Sequence, residues 1–162
     1  MSVEVDVQYA VDDHGGFPSP EAIRHWAEAV LAGRQGDKEI TVRIVGRSES
    51  AYLNETYRHK HGPTNVLAFA LEPPAGLGLS LVGDLVICAP LVFQEARRQG
   101  KRPEAHWAHL VVHGVLHLLG YDHEQPSAAA TMETLETQVL ERLGFPNPYV
   151  LTEDITHERR PT

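Results

Sequence analysis

Residues 113–123 read HGVLHLLGYDH, with imidazoles at the first, fifth and eleventh positions and a glycine at the eighth. Residues four apart on a helix stand one turn above each other, with Cβ atoms about 5–6 Å apart, so His113 and His117 should project side by side. Gly120 falls where a helix most often ends in a left-handed residue, which would let YDH double back over the last turn and carry His123 to the other two rings. Three nitrogens meeting at one point make an open zinc site whose fourth position is left to water. Shuffling a chain with this content of histidine and glycine yields HxxxHxxGxxH in roughly three of a thousand sequences. His113, His117 and His123 are therefore the expected ligands of one Zn2+ per chain. His106 and His109 are expected to be packed or supporting histidines rather than ligands.

The spacing resembles the HExxHxxGxxH signature of metzincin peptidases, but Gly114 stands where those enzymes carry the glutamate that activates water for attack on an amide. That absence argues against peptidase chemistry. Phosphodiester cleavage suits such a site better, because stabilising charge on phosphoryl oxygens is much of the task. It calls for a fixed cation near the metal, and arginine has the best-shaped fork for a phosphate. Arg58, at the end of SESAYLNETYR, is the candidate; a helix-terminal cation complementing the dipole is the simpler alternative. Asp122, beside the third histidine, could orient a ligand ring, accept a proton or only shape the turn. Asp84 in GDLVI has no role legible in the sequence.

The chain of 162 residues is of single-domain length, and 42% hydrophobic with 22% charged residues is an ordinary globular composition. A formal net charge of -8 speaks against a protein that grips nucleic acid by bulk electrostatics. Basic residues do concentrate around Arg43, Arg47, Arg58 and in ARRQGKR, and acidic ones in METLETQVLE; runs of this kind read as solvated faces. The single cysteine, Cys88, reads as a buried spectator, so a metal would be held by nitrogen and oxygen. The N-terminus lacks a basic start and an apolar block, and no apolar stretch reaches the ~18 residues of a membrane span, so a cytoplasmic protein is expected.

These side chains must be positioned by regular elements. Residues 3–9, KEITVRIVGR, NVLAFALE and LVGDLVICA alternate or run apolar as strands. Helices are expected after Ser19 and Pro20, over SESAYLNETYR with Ser48 as cap, from Pro90 to Gly100, from Pro103 to Gly120, and over SAAATMETLETQVLERLG. The fold expected is α+β: a mixed four-stranded sheet packed against about five helices, one of them a zincin-like helix carrying the metal ligands. Residues 1–150 should form one hydrolase domain, and 151–162 a flexible tail.

HGVLHLLGYDH, TYRHKHGPTNVLAFA upstream and GDLVIC between them resemble, in order and spacing, the blocks of the YbeY endoribonuclease family, over about residues 38–145. The resemblance implies a metal-dependent endoribonuclease specific for single strands, acting in 16S ribosomal RNA 3′-end maturation and ribosome quality control. It also implies zinc on His113, His117 and His123, and an active-site arginine at Arg58. Its implied partners are single-stranded RNA, the 16S precursor, and the ribosomal subunit or its proteins, with no DNA and no membrane. Ala68 and Ala70 stand where that family commonly has serine and proline, so a contact by the serine hydroxyl is not carried over. The rival expectation is a non-catalytic ribosome assembly factor whose zinc only pins the helix to its following loop.

Overall fold

The computed structural model describes residues 2–13 and 15–150. The tail expected over 151–162 lies outside the described residues. Four strands, β1 (Val3–Tyr9), β2 (Asp37–Val45), β3 (Val66–Leu71) and β4 (Leu79–Cys88), form one sheet in the order β1-β2-β4-β3. β1, β2 and β4 run parallel, and β3 pairs antiparallel with β4 as an edge. Five helices accompany them: α1 (Pro20–Leu31), α2 (Arg47–Arg58), α3 (Ala89–Gln99), α4 (Pro103–Leu118) and α5 (Pro126–Arg142). This is the mixed α+β arrangement expected.

The period-2 pattern of the strands decides which helices lie on which side. Val5, Ile40, Val42, Ile44, Leu85 and Ile87 share one face and meet α1 and α4 in the main core. On the opposite face, Val45, Leu67, Val86 and Cys88 form a smaller cluster with Leu53 of α2 and Leu91. Cys88 is fully buried there, the spectator expected.

Ten of the sixteen residues of α4 are buried, spread around its circumference, as befits a helix surrounded by other elements. It touches α1, α3, α5, β3 and β4. Two glycines let it lie close on the sheet. A Cβ added to Gly83 of β4 would fall 2.7 Å from Leu118 Cδ2, and one added to Gly114 of α4 would fall 2.7 Å from Leu85 Cδ2. Helix and strand thus interlock at two notches that any side chain would fill.

Local caps set the ends. Ser19 caps α1 through its hydroxyl, which accepts from Ala22 N at 3.1 Å, with Pro20 in the first turn. Ser48 is not the cap of α2: the helix begins two residues earlier than that cap would place it, at Arg47 with extended Gly46 as N-cap, so Ser48 lies inside the first turn. After α5, Gly144 is left-handed, and Phe145 N returns to Leu140 O at 2.8 Å, which turns the Phe145 ring onto Trp26. Residues 145–150 therefore pack back against the domain rather than leaving it. No helix among the described residues is long and apolar enough to cross a membrane.

Candidate metal centre

α4 presents His113 and His117 one turn apart and then stops by a double hydrogen bond. Gly120, at φ 103°, donates to His117 O at 2.9 Å, and Tyr121 donates to Leu116 O at 3.1 Å. This closing pair satisfies two carbonyls left over at the helix end and reverses the chain. Tyr121 seals the turn by packing on the main core. The reversal delivers His123: ring centroids lie 4.9 Å apart for His113 and His117, 5.4 Å for His113 and His123, and 5.1 Å for His117 and His123. One ligating atom from each ring lies within 4.8 Å of the other two.

The rings suit a cation. Burial, then the neighbouring His113 and His123, lower the pKa of His117, which favours the neutral form whose lone pair can ligate. Nδ1 of His113 meets the carboxylate of Glu136, a residue only 1% exposed on α5, and Nε2 of that ring is the nitrogen left for a metal. His109 Nε2 lies 3.0 Å from the other oxygen of Glu136, and the Tyr149 hydroxyl donates to the same oxygen. Burial would raise the pKa of Glu136, but the hydrogen bonds from His109, His113 and Tyr149 outweigh it and hold the carboxyl at about 2. Burial, and then the proximity of Glu136, raise the pKa of Tyr149. Three nitrogen ligands, one of them backed by a carboxylate, are a donor set that fits Zn2+.

The trio lines a cleft of about 380 Å³ together with Asn54, Arg58, Lys60, Ala68, Gly114 and Asp122, among others. Arg58 reaches it because the chain reverses directly after α2: His59 takes a left-handed φ of 59°, and Lys60 N donates to Asn54 O at 3.3 Å. The loop beyond is tied down by Ser50, whose hydroxyl donates to Thr64 O at 2.9 Å, and by Asn54, which donates to Gly62 O at 2.8 Å. The Arg58 guanidinium donates to Ala68 O and lies 5.2 Å from the Phe69 ring centroid. Among the described residues it has no carboxylate partner. Arg43, by contrast, is held by Glu49 at 2.7 Å.

The structure thus brings His113, His117, His123, Arg58 and Asp122 to one cleft, with β3 along its border at Ala68. Asp122 Oδ1 accepts from Glu124 N at 3.2 Å, the turn-shaping role; no hydrogen bond joins it to a ring of the trio among the described residues. Asp84 does not line the metal cleft; it lies in an adjoining groove with Tyr57 and Phe69 that shares Arg58 and Ala68 with the cleft, and burial raises its pKa. His106 is buried and paired with Glu95 at 2.8 Å; it and His109 are supporting residues, as expected. Glu136 is the site residue that the sequence did not disclose. It sits in an acidic run read as a solvated face, yet Met132, Glu136, Val139 and Leu140 form the buried stripe of α5. A carboxylate in the apolar register of an amphipathic helix was the available signal.

A family model described as Endoribonuclease YbeY matches residues 13–144. Among solved structures, the chain is similar to the solution structure of TM1509 from Thermotoga maritima, at 23% identity and a TM-score of 0.55, over 86% of this chain and 91% of the other. That likeness shows a shared fold. The family match spans most of the chain and includes all three histidines, Arg58 and Asp122: the chain belongs to the YbeY family of endoribonucleases.

Proposed function

We propose that this chain is a cytoplasmic, zinc-dependent endoribonuclease specific for single-stranded RNA, acting in the maturation of the 16S ribosomal RNA 3′ end and in ribosome quality control. The observation that carries the chemistry is the convergence of three histidines and an arginine from a separate element on one open cleft. The family supplies the substrate class, and the ribosomal subunit or its proteins are the proposed partners.

His113, His117 and His123 would hold Zn2+, which when bound would supply Lewis-acid polarisation of a phosphoryl oxygen. Arg58 binds the scissile phosphate through its fork and stabilises the charge that grows on it, its orientation preset by Ala68 O and Phe69. Asp122, with one oxygen committed to the turn, is the candidate proton acceptor in the cleft. With a net charge of -8, the protein gains little from bulk attraction to RNA, so ribosomal partners contribute much of the binding.

The deciding experiment is metal analysis of the purified protein together with cleavage of single-stranded and duplex RNA, with and without chelator. Zinc near one per chain and chelator-sensitive cutting of the single strand are expected. A zinc-loaded protein that leaves single strands intact would instead favour the assembly factor with a structural metal.

A further inference from the structure

Glu136 serves neither the phosphate nor the solvent. It projects from the buried stripe of α5, where an apolar side chain of similar volume would pack without desolvating a charge. A carboxylate survives there only if its oxygens are fully engaged. They are: one oxygen meets His113 Nδ1, and the other meets both His109 Nε2 and the Tyr149 hydroxyl. His109 Nδ1 has no hydrogen-bond partner, so the tautomer that satisfies this network carries its proton on Nε2 and donates it to Glu136. His109, one turn before His113, thus braces the carboxylate and takes no place in the ligand trio.

We propose that Glu136, clamped by His109 and Tyr149, is a positioning residue for the metal centre: it holds the Nδ1 proton of His113 and so fixes that ring with Nε2 towards the cleft. A ligating imidazole whose far nitrogen donates to a carboxylate is locked in tautomer and rotation and is a stronger base at the ligating nitrogen. Tyr149 makes the segment after α5 part of the device. That segment is also tied by Lys101 Nζ, which donates to Pro148 O at 2.7 Å. The metal site therefore depends on residues well outside the HGVLHLLGYDH block.

The inference rests on the zinc reading of the trio, and its test separates the two. Zinc dissociation constants are measured by chelator competition for the full chain, Glu136→Gln and Tyr149→Phe, alongside the melting temperature of each metal-free protein. Imidazole nitrogen spectra of the wild type report the His113 tautomer. Glu136→Gln should weaken zinc binding by about 10–100-fold and Tyr149→Phe by less, at a metal-free melting temperature that does not track the loss. The wild-type spectrum should show the proton on Nδ1 of His113. Folded variants with wild-type zinc affinity, or a His113 proton on Nε2, would overturn the role of Glu136. Should Glu136→Gln not fold, Tyr149→Phe and the wild-type spectrum still decide. A wild type that binds no zinc would sink the metal reading itself.

Discussion

Gly114 lies against Leu85 so closely that a methyl group built on it would sit 2.7 Å from Leu85 Cδ2 and 3.1 Å from Cδ1. The position that carries the catalytic glutamate in metzincin peptidases is therefore closed on steric grounds, because Leu85 is fully buried in β4 and cannot swing away. Gly114→Ala should destabilise the protein: overpacking costs about 1–3 kcal/mol, and the better helix propensity of alanine returns at most about 1 kcal/mol. Denaturant unfolding measures the balance. A stabilised Gly114→Ala protein would mean that α4 does not seat on the sheet as described.

What the sequence disclosed and what it hid follow one physical line. Gly120 was legible because a left-handed helix end is written in a single residue type, and the convergence of His123 follows from it. Ser19 was legible as a cap for the same local reason. Ser48 misled because a good capping residue stood one position inside a helix whose start is set by the extended backbone of Gly46. The chemistry of Arg58 could be read, but not that β3 would offer it Ala68 O, since that depends on an edge strand pairing antiparallel with β4. Glu136 stayed hidden because the whole acidic run was read as one solvated face, although it shares the apolar register of Met132, Val139 and Leu140; the docking of α5 on α4 then supplies the partners that bury it.

Arg58→Ala should leave the fold and the zinc content unchanged and lower the turnover of single-stranded RNA by about 10²–10³-fold, the usual effect of removing one donor from a developing oxyanion. Arg58→Lys should recover only part of it, because an ammonium lacks the planar fork. Single-turnover cleavage by zinc-loaded protein is the measurement. Equal rates for Arg58→Ala and wild type would remove Arg58 from the mechanism.

Free RNA should bind with a shallow salt dependence. Arg58 and Lys60 are the basic side chains of the cleft, and a single strand yields a slope of about -0.7 per phosphate contact. A plot of log affinity against log salt should therefore fall with a slope between about -1 and -2. A slope several times steeper would reveal a larger basic footprint than the cleft provides.

His106 gives the fold a pH dependence. Its ring is buried among Glu95 of α3, Lys101 and His109, and burial lowers its pKa from 6.5 more than the hydrogen bond to Glu95 raises it. Below pH 6.5 the unfolded chain binds a proton that the folded chain refuses, so stability falls as pH drops through the window beneath 6.5. His106→Gln, which keeps a donor for Glu95, should flatten the slope of unfolding free energy between about pH 6.5 and 5 when both metal-free proteins are compared. Identical slopes would assign the proton uptake to other groups.

Metal removal should leave the protein folded. α4 is held by Trp107, Leu110, Val111, Val115 and Leu116, all buried, and its terminal turn closes through backbone bonds that need no ion. Each buried aliphatic side chain contributes about 1.5–3 kcal/mol of gross burial, so the helix is anchored several times over. Chelation should then cost only the binding linkage, about 2.7 kcal/mol at a free zinc concentration a hundredfold above Kd, with the helical circular dichroism preserved. His117→Ala should lose zinc and keep that same spectrum. If chelation or His117→Ala instead unfolds the chain, metal binding and folding are one event, and the zinc holds the helix to its loop rather than serving an open catalytic cleft.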